Sequence, residues 1–511
     1  MVRTAALLII TAFVLSRTVA QPGTLDPNFA IGGRLITNIS AGGVDDALAI
    51  TEQPDGKIIV AGTSGFEDAQ DFAVVRYLAN GTPDPDFGDN GIVLTSIAPA
   101  NDVARTIAVQ DDGRILVGGY AYRPEGLCFA LVRYESNGDP DMSFGTNGIV
   151  VTDLGGATVQ GMALVLQDDH IILAGGGNLG FAMVRYDSNG DIDADFGTDG
   201  LATCSFTNGN DLASGIALQS DGHIVLGGYA SGNADSIAVA RFSSDGLLDA
   251  TFGNNGRARA AVFGAGGTIG RSLALDAQDR ILVAGTTPLE AVVVRFTADG
   301  QLDDTFNGSG IRELPLDDAD ATNGYAVAVD DQDNVLVAGR VMQATTDVLL
   351  FRLTSDGLND ATFGADGAVT TSFNALPCAA HALALQADGR ILVAGSMDFD
   401  HGDFALIGAR YLIAEASTGI TTLVNAADVA QVLPMPLASN TVLRYTLSGA
   451  DAVTIDLYDA RGVLLRRLRD RASTGAGTFT IPLADLDDLA PGAYFIRLRG
   501  ATIDRVLRVV K

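Results

Sequence analysis

The sequence has no tryptophan, three cysteines, four histidines and only 32 lysines and arginines among its 511 residues. Each shortage excludes something. Cys128, Cys204 and Cys378 lie far apart, so neither a disulfide scaffold nor a cysteine-based zinc site is expected, and they read as small buried hydrophobes. His170, His223, His381 and His401 are equally scattered, which leaves no histidine cluster at metal-ligand spacing. With 62 acidic residues the net charge is −30, and such a surface repels nucleic acid and anionic lipid. Beyond the first 20 residues there is no apolar run approaching the ~20 residues of a membrane span. A helical 3.6-residue period of useful length is also missing. Glycine, by contrast, is abundant at 61 residues, within a chain that is 47% hydrophobic. That apolar fraction suits a globular core, and the glycine has no collagen period.

Residues 1–20 read as a secretory leader: Arg3 supplies the positive end, Ala5 to Leu15 the apolar stretch, and Thr18-Val19-Ala20 a small-residue cleavage site before Gln21. The chain is therefore expected to be exported from the cytoplasm.

An internal repeat dominates the chain from residue 21 to residue 412. The string Asp-x-x-Phe-x-x-x-Gly occurs with Phe at 29, 87, 144, 196, 252, 306 and 363, at spacings of 58, 57, 52, 56, 54 and 57 residues. Between the copies lies an alternating apolar run, an Asp-Gly type turn and a short apolar run ending in Gly: Gly62, Gly119, Gly175, Gly228, Gly285, Gly339 and Gly395. A third run ends in Arg, as in Arg76-Tyr77, Arg133-Tyr134 and Arg410-Tyr411. Each unit thus holds four short strands, A to D, which in the second unit fall near Arg105 to Gln110, Ile115 to Gly119, Phe129 to Tyr134 and Gly148 to Thr152. Seven four-stranded antiparallel units predict an all-β, seven-bladed β-propeller over residues 21–412. A β-solenoid, with its shorter repeats, is the alternative. The seventh unit lacks strand D, so Gly33 to Ile39 is expected to pair with Phe404 to Tyr411 and close the ring.

In the first six units the strand C arginine and the motif aspartate stand eight residues apart, from Arg76 and Asp84 to Arg352 and Asp360. A tight turn between them brings opposite charges together, and six copies of one pair read as scaffold rather than catalysis. The phenylalanine is expected to wedge between adjacent blades, and the Gly four residues later to take a positive φ.

Several strings imitate chemistry. Asp86-Phe87-Gly88 and Asp195-Phe196-Gly197 belong to the repeat and lack the rest of a kinase signature. The glycines Gly264, Gly266, Gly267 and Gly270 are followed by no helix pattern. Asp191, Asp193 and Asp195 alternate as in a calcium loop but lack its closing Glu, which leaves a surface calcium site as the one cofactor to consider. No Ser/His/Asp, Cys/His or zinc constellation can be assembled.

Variation concentrates in the B–C and D–A connections, which emerge on one face of a propeller, so that face is the expected binding surface. The start of strand A contributes the column Leu48, Arg105, Met162, Ser214, Arg271, Tyr325 and His381. Arg105, Arg271, Tyr325 and His381 are the candidate ligand-face residues, the two guanidiniums being suited to a carboxylate or sulfate. The column contains no acid, which favours binding over catalysis.

After Leu412 the repeat stops. Residues 413–431 read as a linker, and 432–511 as a small Ig-like β-sandwich with alternating runs such as Val442 to Leu447 and Ala493 to Leu498. Residues 428–511 carry 11 basic and 9 acidic side chains and the leader two arginines, so residues 21–427 alone carry −34.

These residues resemble known families. The repeat units, with strings such as Asp388-Gly389-Arg-Ile-Leu-Val-Ala-Gly395 and Phe129-Ala-Leu-Val-Arg133-Tyr134, are similar to the delta-60 repeats of bacterial extracellular proteins. The last 80 residues resemble the C-terminal sorting domain of type IX secretion substrates of Bacteroidota, through Leu457-Tyr-Asp-Ala-Arg-Gly462, Leu489-Ala-Pro-Gly492-Ala-Tyr494 and the basic terminal strand. Leu433-Pro434-Met435-Pro436 stands where that family has Tyr-Pro-Asn-Pro, so the proline frame is kept and the Asn is lost. The resemblance implies that the leader takes the chain to the periplasm, from which the type IX machinery delivers it to the cell surface or medium, and it carries no catalytic residues. The expectation is a monomeric, non-enzymatic binding module for an extracellular glycan or protein. The competing expectation is a hydrolase or lyase acting on extracellular polysaccharide from the propeller channel.

Overall fold

Alternating apolar runs separated by Gly, Asn and Asp turns leave the chain one way to satisfy its backbone, as short antiparallel strands. The computed structural model describes residues 21–413, apart from 67–68, 125, 208, 233, 263–265 and 401–402, together with the strands between 430 and 510. The leader, most of the expected linker, the Pro434–Pro436 frame and His401 lie outside the described residues. The described chain is all β, without helices, and forms two units that divide at residue 414.

The first unit is a β-propeller assembly of four-stranded antiparallel sheets. The first sheet holds Val44–Glu52, Ile58–Phe66, Ala69–Tyr77 and Ile92–Thr95, paired in that order, and the second Asp102–Val109, Ile115–Arg123, Gly126–Tyr134 and Ile149–Thr152. Further sets of four continue to Tyr411. The third and fourth are bridged where Gly176 and Gly177 pair with Leu212 and Asp211. The last set has three strands of its own, Cys378–Leu385, Ile391–Asp400 and Asp403–Tyr411, and takes Arg34–Thr37 as its fourth, with Arg34 opposite Ala409 and Thr37 opposite Leu406. The expected pairing of the N-terminal segment with the seventh repeat is therefore observed.

Apolar cores lie between consecutive sheets, and one of them joins Leu392, Ala394 and Leu406 of the seventh set to Ile58, Val60 and Val75 of the first. The repeat phenylalanine supplies part of each. Phe87 is fully buried and packs on Gly138 in the C–D turn of the next sheet; a Cβ there would lie 3.0 Å from the ring. Phe144, Phe196, Phe252 and Phe306 meet Gly190, Gly246, Gly300 and Gly357 in the same way, while Phe363 meets Gly23 and Phe29 meets Gly81. Burial of each ring contributes roughly 2–3 kcal/mol. The glycine four residues on takes positive φ, as at Gly91 (97°) and Gly148 (86°).

The arginine–aspartate pairs form as expected, and they reach further than one hairpin. Arg76 Nε donates to Asp84 Oδ2 at 2.8 Å, its guanidinium covers Phe87 at 4.4 Å, and Nη1 donates to the Ser136 carbonyl of the next sheet. Arg133, Arg185, Arg241, Arg295 and Arg410 reach a carbonyl of the next sheet in the same way, so these repeats tie their own hairpin, wedge and neighbour together. The seventh set is completed by Asp26, which lies 2.9 Å from Arg410. A second tie is polar where both partners allow it. Thr37, Thr95, Thr152 and Thr371 bond the hydroxyls of Tyr77, Tyr134, Tyr186 and Tyr411 at 2.6–2.7 Å. In the other three units Cys204, Ala260 and Leu314 replace the threonine while Phe242, Phe296 and Leu353 replace the tyrosine, so none of these pairs leaves a hydroxyl buried alone.

The second unit has two sheets over one core: Ala430–Leu433, Val442–Leu447 and Gly477–Pro482 in one, and Leu464–Thr474, Asp451–Asp459, Ala493–Arg499 and Asp504–Val510 in the other. Leu443, Tyr445, Val453, Ile455, Ile496 and Leu498 fill the space between them. Its first strand begins at Ala430, inside the expected linker, because Ala430 and Gln431 pair with Tyr445 and Arg444; composition alone could not register that pairing.

Candidate functional site

The seven column residues occupy one kind of position, a β-bulge. In the first sheet Ala47 pairs with Gly62 and Ala49 with Ala61, so Leu48 is an extra residue without a partner. The same skip isolates Arg105, Met162, Ser214, Arg271, Tyr325 and His381. Bulges re-aim side chains and occur next to active sites. The repeated strand B glycine makes each bulge possible: a Cβ on Gly62, Gly119 or Gly175 would lie 1.8, 2.0 or 1.7 Å from the carbonyl oxygen of Asp46, Val103 or Gln160. These glycines are needed for close approach rather than for positive φ.

All seven bulge residues line a single central cavity of about 510 Å³. Around the closed ring the wall runs from Arg271 through Tyr325 and His381 to Leu48 and Arg105, and then through Met162 and Ser214. The Tyr325 and His381 rings are 5.2 Å apart. The Arg271 and Arg340 guanidiniums lie 6.0 and 5.9 Å from the Tyr325 ring centre, and Arg340 Nε donates to Asn323 Oδ1 at 2.8 Å. Arg105 lies 6.0 Å from the Tyr120 ring, and its Nε is buried without a hydrogen-bond partner. His381 Nε2 is 3.6 Å from Asp46 Oδ1 and 3.3 Å from Ser396 Oγ. The site therefore places cations and flat rings at the centre of a ring that is otherwise strongly acidic. Two guanidiniums hold an oxyanion well.

Three features differ from expectation. The column lies inside strand A rather than at its start, since the second-unit strand begins at Asp102; the bulge interrupts the period-two pattern and makes the strand look shorter than it is. The absence of an acid does not hold for the cavity, because Asp46, two residues before Leu48, lines it beside His381. The B–C connections of the first, second and seventh units are largely continuations of strands B and C, as in Ile58–Phe66 and Ala69–Tyr77. Asn323 and Arg340, which flank Tyr325 without being among the cavity-lining residues, were not expected. Their signal is alternation, since each stands two residues from a bulge or one from its glycine.

Away from the cavity, one aspartate of the calcium-like string is an ion-pair partner. Asp193 is held by Arg185 at 2.7 Å, apart from the calcium-like alternation around it. Among the described residues no group of three or more His, Cys, Asp or Glu side chains is placed to hold a metal, and the three cysteines are buried and far apart in the sequence.

Comparison with known proteins agrees with the repeat. A family described as a domain of unknown function (DUF5122) beta-propeller matches residues 53–87, 110–144, 166–196, 219–252 and 279–306. Every matched segment ends on a repeat phenylalanine. No curated protein matches the chain. Among solved structures, a protein of unknown function from Dyadobacter fermentans DSM 18053 is 11% identical with a TM-score of 0.46, covering 76% of this chain and all of its own. An ulvan lyase of polysaccharide lyase family PL25 is 13% identical with a TM-score of 0.43, over 74% of this chain and 95% of its own. PorZ, a surface component of the type IX secretion system of Porphyromonas gingivalis, is 11% identical with a TM-score of 0.24, over 95% of this chain and 86% of its own.

Proposed function

We propose that the protein is an exported, non-enzymatic binding module in which a closed seven-bladed propeller holds an anionic small ligand, a carboxylated or sulfated sugar, in its central cavity. The observation that carries this reading is the convergence of seven bulge residues on one cavity, with Arg105 and Arg271 supplying charge and Tyr325 and His381 supplying flat faces. The acidic remainder disfavours a polyanion, whose many charges would meet the ring's −34. Calorimetric titration of the full chain with glucuronate tests the reading. Binding that weakens about tenfold or more in Arg271→Ala supports it, in line with loss of a charge-assisted contact. No heat with glucuronate or glucose 6-sulfate would refute it.

A second reading, turnover of an extracellular polysaccharide, has one observation in its favour: the Asp46–His381 pair beside Tyr325 resembles an oriented base. Product formation from uronate-containing polymers that is abolished by His381→Ala would replace the binding reading. For the C-terminal unit we propose an Ig-like sorting domain read by type IX machinery, on the strength of its sequence resemblance. Deletion of 432–511 should then strand the protein in the periplasm, and unchanged surface delivery would refute the assignment.

A further inference from the structure

A second cavity of about 470 Å³ adjoins the central one, and Leu212 lines both. It opens over the third sheet because the chain there is nearly bare. Where the first sheet has Gly62-Thr63-Ser64 in strand B, the third has Gly175-Gly176-Gly177, joined to strand C by Asn178-Leu179. The missing side chains also let the backbone of Gly176 pair directly with Leu212, and a Cβ on Gly176 would lie 2.5 Å from the Asp211 carbonyl oxygen. The glycines thus draw two sheets together and leave a groove above them.

The lining of this groove contrasts with the rest of the ring. Thr158, Gln160, Asn178, Asn210 and Tyr229 present amides and hydroxyls, with Leu127 and Leu212 as apolar walls. No lining residue is ionised at neutral pH, and burial pushes the Tyr229 phenol above its ordinary value. Neutral planar donors and acceptors beside apolar carbon match the alternating hydroxyl and C–H surface of a sugar, and they offer nothing to a second charge.

Building on the anion-binding reading of the central cavity, we infer that this groove is a neutral-sugar subsite, which takes the unit next to the anionic one. The preferred ligand is then an acidic disaccharide or chain end with its carboxylate toward the arginines and its neutral neighbour over Gly176. Gln160 and Asn210 specify the second unit. Asn178 holds the loop as well, since its Oδ1 accepts from Thr158 N at 3.1 Å.

The test compares glucuronic acid, cellobiouronic acid and cellobiose by calorimetry on the full chain and on Gln160→Ala and Asn210→Ala, with circular dichroism confirming that both variants fold. Two or more net hydrogen bonds from the second unit correspond to a gain of about tenfold or more. The expected result is that cellobiouronic acid binds at least about tenfold tighter than glucuronic acid, that both substitutions remove this gain, and that neither changes glucuronic acid affinity. Equal affinity for the two acids, or a gain that survives both substitutions, overturns the subsite and leaves the anion-binding reading standing. If neither glucuronic acid nor glucose 6-sulfate binds, the anion-binding reading fails. In that case cellobiose binding that is lost in Gln160→Ala still supports the groove, and silence from all three probes overturns both.

Discussion

Replacing Arg241 by methionine removes one complete lock between sheets while keeping the length of the side chain. Arg241 donates to Asp249 from Nε at 2.7 Å and from Nη2 at 2.7 Å, and its Nη1 reaches the Ala298 carbonyl of the next sheet at 2.9 Å. Its guanidinium also covers the Phe252 ring at 5.0 Å. Both partners are largely buried, with side-chain exposures of 9% and 12%, so the loss is that of a buried pair broken on one side, about 3–5 kcal/mol. An exposed pair would lose about 1 kcal/mol or less. With no tryptophan in the chain, far-ultraviolet circular dichroism in urea is the natural assay. At an m value of about 3 kcal/mol/M or more for a domain this large, the midpoint should fall by about 1 M. Acid provides a second arm. Burial works against the charged form of Asp249, but the Thr251 hydroxyl and amide and Arg241 outweigh it and hold the carboxyl at about 2. A depressed carboxyl stabilises the fold above the unfolded value near 4 and loses that contribution as pH falls toward 2, here about 2 kcal/mol. Asp249→Asn should remove this component, and a double-mutant cycle should show strong coupling to Arg241. A cost below about 1 kcal/mol for Arg241→Met, or an unchanged acid transition in Asp249→Asn, would refute the locking argument.

Asp102 titrates in the opposite sense. Burial pushes its carboxyl up to about 6 against the amides of Ala98 and Ile97, and its Oδ1 has no hydrogen-bond partner. Stability should therefore fall as pH rises from about 4 to 6, by roughly 2–3 kcal/mol, and Asp102→Asn should recover it at pH 8; a variant as pH-sensitive as the parent would count against this. Tyr134→Phe should cost about 1 kcal/mol by leaving Thr95 unpaired, and Thr95→Val in the same chain should restore most of it, as the apolar pairs in three other units suggest; additive losses in urea unfolding would contradict the pairing. Gly119→Ala brings a Cβ to 2.0 Å from the Val103 carbonyl oxygen and should expel the Arg105 bulge, with a stability loss of at least about 2 kcal/mol. A crystal structure of that variant with the bulge intact would show the glycine argument to be wrong.

The repeat, its four strands, the turns, the arginine–aspartate pairs and the closure of the last sheet by the N-terminal segment were all legible in the residues alone. All of these are local or periodic: a Gly at positive φ, an alternating run and two charges eight residues apart state their geometry within one unit. The column containing Arg105, Arg271, Tyr325 and His381 was legible too, because seven copies in register mark an equivalent position whatever that position does. Why the column matters came from the packing of the sheets. A bulge is a mismatch between two strands, so only their pairing shows that Leu48 and its six counterparts are the unpaired residues aimed into the cavity, and that the strand B glycines exist to permit it. Asp46 reads as one more acid in an acidic ring until the sheets bring it to His381 from the far end of the repeat. The groove over Gly176 is equally invisible in the sequence, since it is made by absent side chains in one sheet and by the close approach of the next.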